Sequence, residues 1–166
     1  MIHIVGDSHA GSLHYHLPRA ILHSVGDKTA YQLPKHEVEI IAECMKSHYY
    51  DRIILSFGEI DCRVHLFDNK NIEEGVERYM SVVDKIDRRI ILLAPVPTNH
   101  ETIRGPYSGN REERNNIARE FTRLIKTHRY PVIDLYEVLI DRPDFYEDDI
   151  HMGPNAPVLD KIKEAI

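Results

Sequence analysis

Cysteine is scarce in this chain, with only Cys44 and Cys62 among 166 residues. Two thiols are too few for a disulfide scaffold and their spacing fits no zinc motif, so neither a metal nor another cofactor is expected. An excess of positive charge is absent as well. Lys and Arg number 21 against 27 Asp and Glu, a formal charge of −6. That balance argues against non-specific nucleic-acid binding, which needs a basic face to neutralise phosphates. No apolar run approaches membrane-spanning length, so no membrane partner is expected. The first apolar segment starts at residue 2 and leaves no room for a signal peptide, which makes the reducing cytoplasm the expected compartment. Repeats and low-complexity linkers are missing too. What remains, 42% hydrophobic and 29% charged residues, is ordinary for a soluble globular protein. The length fits one domain over residues 1–166 and is too short for two. Composition says nothing of oligomeric state.

Along the chain, short apolar runs alternate with helical patterns. Strands are predicted at residues 2–5, 20–24, 52–57, 89–94 and 131–133, the third and fourth carrying Ile53-Ile54-Leu55 and Ile90-Ile91-Leu92-Leu93. Residues 12–20 are ambiguous, since Pro18 interrupts any helix there. Residues 37–48 show a helical stripe of Val38, Ile41, Ala42 and Met45, and residues 71–87 one of Val76, Tyr79, Met80 and Val83. A charged helix over 110–128 carries Ile117, Phe121, Leu124 and Ile125, and a last helix is predicted over 157–166. Continuous apolar strands between amphipathic helices imply an α/β fold: a parallel sheet of about five strands with helices on both faces. In such sheets ligands collect at the carboxyl ends of the strands.

Two segments would meet at that edge. Gly6-Asp7-Ser8-His9 follows the first strand, and Asp148-Asp149-Ile150-His151 precedes the last helix. A serine hydroxyl is a weak nucleophile until a base takes its proton, and the base needs a third group to fix its tautomer. Taken singly, each has a bland reading. Ser8 could cap a helix, His151 is one of 11 histidines, and Asp148 sits in an acidic run with Glu147 and Asp149. Together they supply nucleophile, orienting acid and base, with Asp149 the weaker substitute for Asp148, and they point to a serine esterase. Other histidines are less informative. His14-x-His16, with His3 and His9 nearby, has no carboxylate or cysteine at a supporting spacing, so a non-metal role is expected. Glu59 and Asp61 could be paired carboxylates for work on a sugar, but Asp61 reads better as an acceptor of loop amides. Arg63 stays open between surface residue, partner of Asp61 and substrate ligand. The nucleophile elbow of α/β-hydrolases follows several strands, whereas Ser8 follows one. A phosphate-cradling turn would leave Asp148-x-x-His151 without a purpose.

Gly6-Asp7-Ser8-His9 and Asp148-x-x-His151, with Gly26 between them, resemble the SGNH hydrolases, or GDSL-type lipases and acylhydrolases, over nearly the whole chain. The resemblance implies a flavodoxin-like three-layer fold and hydrolysis of an ester, often an O-acetyl group on a sugar. It implies Ser8 as nucleophile, His151 as base and Asp148 as the group that orients it. The backbone N–H groups of Ser8 and Gly26 would then hold the oxyanion. Where that family carries Gly-x-Asn-Asp, this chain has Gly58-Glu59-Ile60-Asp61, and Ile60 cannot donate a hydrogen bond. Arg63, on the same loop, is the candidate to supply the missing donor, and with Glu59 and Asp61 forms the candidate substrate-binding set. The partner expected is a small-molecule or carbohydrate ester. A binding module that lacks activity, or an acyltransferase using the same serine, is the alternative.

Overall fold

The computed structural model describes residues 1–65, 71–103 and 105–166. Strands β1 (Ile2–Gly6), β2 (Ile21–Ser24), β3 (Arg52–Ser56), β4 (Arg89–Leu93) and β5 (Val132–Ile133) form a parallel sheet in the order β2-β1-β3-β4-β5. This is the flavodoxin-like order, with its switch point between β1 and β3. Among the described residues, six α-helices cover the sheet: α1 (Ser8–His16), α2 (Glu37–Met45), α3 (Ile72–Val83), α4 (Arg111–Ile125), α5 (Tyr136–Leu139) and α6 (Leu159–Ala165).

Side chains alternate across a strand, and that period divides the core in two. Val5, Ile53, Leu55, Ile90 and Leu92 share one face with Ile40 of α2, Tyr79 and Met80 of α3, and Phe121 and Ile125 of α4. Ile4, Ile54, Ile91, Leu93 and Ile133 share the other with Leu13 of α1, Leu139 of α5 and Ile162 of α6. Neither face of the central strands meets water, which is why they read as unbroken apolar runs. Among the described residues, no helix is long and apolar enough to cross a membrane.

Three elements depart from the sequence reading. Helix α1 opens at Ser8 and closes at His16, so Pro18 lies beyond it and interrupts nothing. Asp7 starts it, with its extended backbone and its carboxylate accepting the His9 N–H at 2.9 Å. Helix α2 is rotated from the predicted stripe: Val38 and Met45 are exposed, and Ile40 and Cys44 are buried instead. Leu33, buried in the 3₁₀ turn Leu33–His36 that runs straight into α2, sets that phase. Helix α5 was not anticipated, being a single turn and too short for any periodicity to show. By contrast, Val76, Tyr79, Met80 and Val83 of α3 all face inward as the pattern predicts. So do Phe121 and Ile125 of α4, whose Asn110 and Glu113 make a reciprocal capping box.

The two strands at the switch point end almost in contact. A Cβ at Gly6 would lie 2.3 Å from the Ser56 carbonyl oxygen and 2.7 Å from the Ser56 Cβ. We expect Gly6→Ala to destabilise the protein by about 1–3 kcal/mol through overpacking, read from urea denaturation. An unchanged midpoint would mean that the ends of β1 and β3 part freely.

Candidate active site

The turn after β1 delivers Ser8 to the carboxyl edge of the sheet as the first residue of α1, and Ser8 is exposed there. The loop between α5 and α6 brings His151 to the same edge. Asp148 shapes that loop: its Oδ1 accepts the N–H groups of Ile150 at 2.7 Å and His151 at 2.6 Å. Its Oδ2 meets His151 Nδ1 at 2.7 Å, so one carboxylate fixes both the backbone and the ring. Burial works to raise the Asp148 carboxyl, but these bonds to His151 and Ile150 outweigh it and hold it at about 2. Asp148 thus stays ionised over the neutral range, and His151 carries its proton on Nδ1 and presents Nε2 as the basic nitrogen.

Two contacts fasten α1 to this loop. The ring of His9, adjacent to Ser8, lies 5.1 Å from the ring of His151, tilted by 38°. At the far end of α1, His16 Nε2 lies 3.2 Å from the Gly153 carbonyl. The residue that follows Ser8 thus meets His151 at one edge, and no hydrogen bond joins Ser8 to His151 among the described residues. Such bonds commonly close only around substrate. His14, the other half of the His-x-His pair, bonds instead to the Ala20 carbonyl at 3.1 Å.

Beneath Ser8 lies a buried string of charges. His9 Nε2 lies 3.1 Å from Glu59 Oε2, an ion pair off the line of a good hydrogen bond, and Glu59 Oε1 accepts from Arg63 Nε at 2.8 Å. Arg63 Nη1 donates to the Pro106 carbonyl. Burial disfavours both charges of the His9–Glu59 pair, yet their attraction prevails, so His9 is raised and Glu59 lowered from their ordinary values. Arg63 is thus paired with Glu59 and not with Asp61. Fully buried Asp61 accepts the N–H groups of Ala30 at 2.6 Å and Tyr31 at 2.9 Å, which fixes the loop beyond β2. Gly26, on that loop, turns with φ of +77° at the carboxyl end of β2. Ile60 stands half-buried between Glu59 and Asp61.

The segment after β4 forms the far wall. Arg114, 1% exposed, sends Nη1 to the Gly109 carbonyl and Nη2 to the carbonyls of His100 and Glu101. Tyr146 donates to the Pro97 carbonyl and so joins this wall to the loop of His151. Sequence reasoning overlooked His9, Asp7 and Arg114. For His9 a signal existed: it adjoins Ser8, and Glu59 and Arg63 are spaced to pair on one helical turn.

No family sequence model and no curated protein sequence matches the chain. Among solved structures, a GDSL-like lipase from Bacteroides thetaiotaomicron superposes with a TM-score of 0.70 at 15% identity, covering 99% of this chain and 86% of that one. A lipolytic protein of the G-D-S-L family from Veillonella parvula gives 0.68 at 13% identity, covering 99% and 97%. An acetyl xylan esterase gives 0.67 at 17% identity and covers both chains completely, at 100%. The chain has the three-layer fold of the GDSL or SGNH hydrolases.

Asp7 generates a prediction of its own. It is 1% exposed, and its Oδ2 is buried without a hydrogen-bond partner. Burial pushes its carboxyl up to about 7, with the His9 charge opposing and that of Glu59 adding. Between about pH 4 and 7 the folded protein keeps this proton while the unfolded chain releases it, so stability falls as pH rises through that window. Asn at this position keeps the cap oxygen and removes the ionisation. Asp7→Asn should melt with wild type at pH 4 and clearly above it at pH 8. Equal melting at both values would show that Asp7 is not held neutral by its burial.

Proposed function

We propose that this protein is a serine ester hydrolase that removes a small acyl group, an O-acetyl ester on a carbohydrate being the preferred substrate. The observation that carries the reading is the Asp148–His151 pair, held at 2.7 Å at the sheet edge to which β1 delivers an exposed Ser8. The shared fold of lipolytic and acetyl-esterase structures supports it. Two buried thiols, Cys44 and Cys62, suit a reducing cytoplasm.

In this reading the Ser8 Oγ–H proton passes to His151 Nε2 as Oγ bonds to the ester carbonyl carbon. The carbonyl electron pair moves onto oxygen, where the N–H groups of Ser8 and Gly26 receive it. The bond from carbon to the alcohol oxygen then breaks, and that oxygen takes the proton from His151. Water repeats the sequence on the acyl-enzyme, giving its proton to His151 and returning Ser8 with release of the acid. If a second sugar hydroxyl replaces water, the same serine transfers the acyl group. Asp148 holds the ring and stabilises the imidazolium without reacting.

A fluorophosphonate probe should label Ser8 in wild type and nothing in Ser8→Ala, located by peptide mass spectrometry. Ser8→Ala and His151→Ala should each cost several orders of magnitude in turnover of 4-nitrophenyl acetate. Asp148→Asn should cost as much or less. Labelling that persists in Ser8→Ala, or turnover that it leaves unchanged, would end the reading, and wild type that takes up no label would favour the binding module.

A further inference from the structure

Two histidines flank Ser8, and each is held by a carboxylate through one ring nitrogen. His151 is gripped at Nδ1 by the half-exposed Asp148, whereas His9 Nε2 lies 3.1 Å from the buried Glu59 in an ion pair without a hydrogen bond. Their environments are opposite. Asp148 holds the His151 ring and the Ile150 N–H on a surface loop. Glu59 is itself fixed by Arg63, so the His9–Glu59–Arg63 string carries one net positive charge in the protein interior. Asp7, His151, Glu59 and Arg63 are the charged or titratable groups around the His9 ring. His9 is 4% exposed; its Nε2 is buried 3.1 Å from Glu59 Oε2 in an ion pair without a hydrogen bond, and its Nδ1 makes no hydrogen bond among the described residues. Nδ1 is thus left open on the residue that adjoins the nucleophile in the chain.

Resting on the serine-esterase reading, we propose that His9 is a catalytic residue: its imidazolium, held through Nε2 by Glu59, donates Nδ1–H to the oxyanion that forms when Ser8 attacks. Charge develops there during the reaction, and a fixed cation in a water-poor site stabilises it far more than a solvated one. The backbone donors of Ser8 and Gly26 are neutral, and Ile60, on the turn beside Glu59, brings no donor. His9 supplies both the hydrogen bond and the charge. An imidazolium has no free lone pair, so His9 cannot serve as a second base. The roles divide between the two histidines, His151 as the base and His9 as the electrophile. Arg63 then acts as a positioning residue. It orients Glu59 and keeps it ionised, and does not itself reach the reacting atoms.

His9→Gln isolates the proposed role, because the glutamine amide can still donate to Glu59 while its other end offers only an acceptor. With 4-nitrophenyl acetate, kcat should fall by about 10²–10³-fold, the usual cost of one oxyanion donor, with KM and melting temperature near wild type. Adding Ile60→Asn to His9→Gln places an amide donor on the neighbouring turn and should restore at least about tenfold of the loss, whereas a structural role for His9 predicts no rescue. In wild type, ¹⁵N spectra should show both His9 ring nitrogens protonated at neutral pH, and Glu59→Gln should abolish that state. If fluorophosphonate labels wild-type Ser8 but His9→Gln turns over within about threefold of wild type, the inference fails and the esterase reading stands. If wild-type Ser8 is never labelled, both fall. Should His9→Gln not fold, the spectra decide, for a neutral His9 with a bare Nδ1 overturns the proposal.

Discussion

The close passage of β1 against β3 at their carboxyl ends is the constraint on which the site depends. With no side chain at Gly6, the Asp7 N–H can reach the Ser56 carbonyl at 3.3 Å, and the two following turns start side by side. One turn carries Ser8 and His9, the other Glu59 and Asp61. Their adjacency brings His9 to Glu59 across fifty residues of sequence without any loop having to fold inward. A wider gap would leave two buried charges apart, and each would then meet the desolvation cost of an unpaired ion.

That cost explains why the interior polar groups form chains and not isolated pairs. Glu59 accepts a hydrogen bond from Arg63 at one oxygen and is ion-paired with His9 at the other, and Asp61 receives two backbone amides. Asp7 has one oxygen hydrogen-bonded and one not, and it resolves the conflict by holding a proton. The pair Asp148–His151 sits nearer the surface, and its hydrogen bonds outweigh the burial of its carboxylate. Its geometry comes from a loop in which the carboxylate also accepts two backbone N–H groups. The same kinds of residue therefore behave differently on either side of Ser8, for reasons of burial alone.

Much of this was legible in the sequence. The strands announce themselves because both faces are buried, and α3 and α4 because their apolar stripes are long. The short pieces were not legible. α5 spans one turn, and α2 takes its phase from the turn before it, which a stripe count over α2 alone cannot register. At the site, Ser8, Asp148 and His151 stood out by order and spacing. The partnership of Arg63 did not, because Glu59 and Asp61 both lie on the same short segment and only the fold shows that Asp61 is occupied by Ala30 and Tyr31. For His9 the signal was its place beside Ser8, but the carboxylate it meets comes from the turn after β3, fifty residues on, and only the fold brings the two together.

Arg114 bears on how the segment after β4 is held. A planar guanidinium can satisfy several carbonyls in fixed directions at once, where a lysine would offer a single mobile point charge. By binding Gly109, His100 and Glu101 together, it gathers the backbone on both sides of the wall into one anchored unit. The ordering entropy of those anchored residues is lost when the protein folds and not when a ligand arrives. Turning any one of the three carbonyls away would leave the buried guanidinium short of an acceptor, so each holds the other two in place.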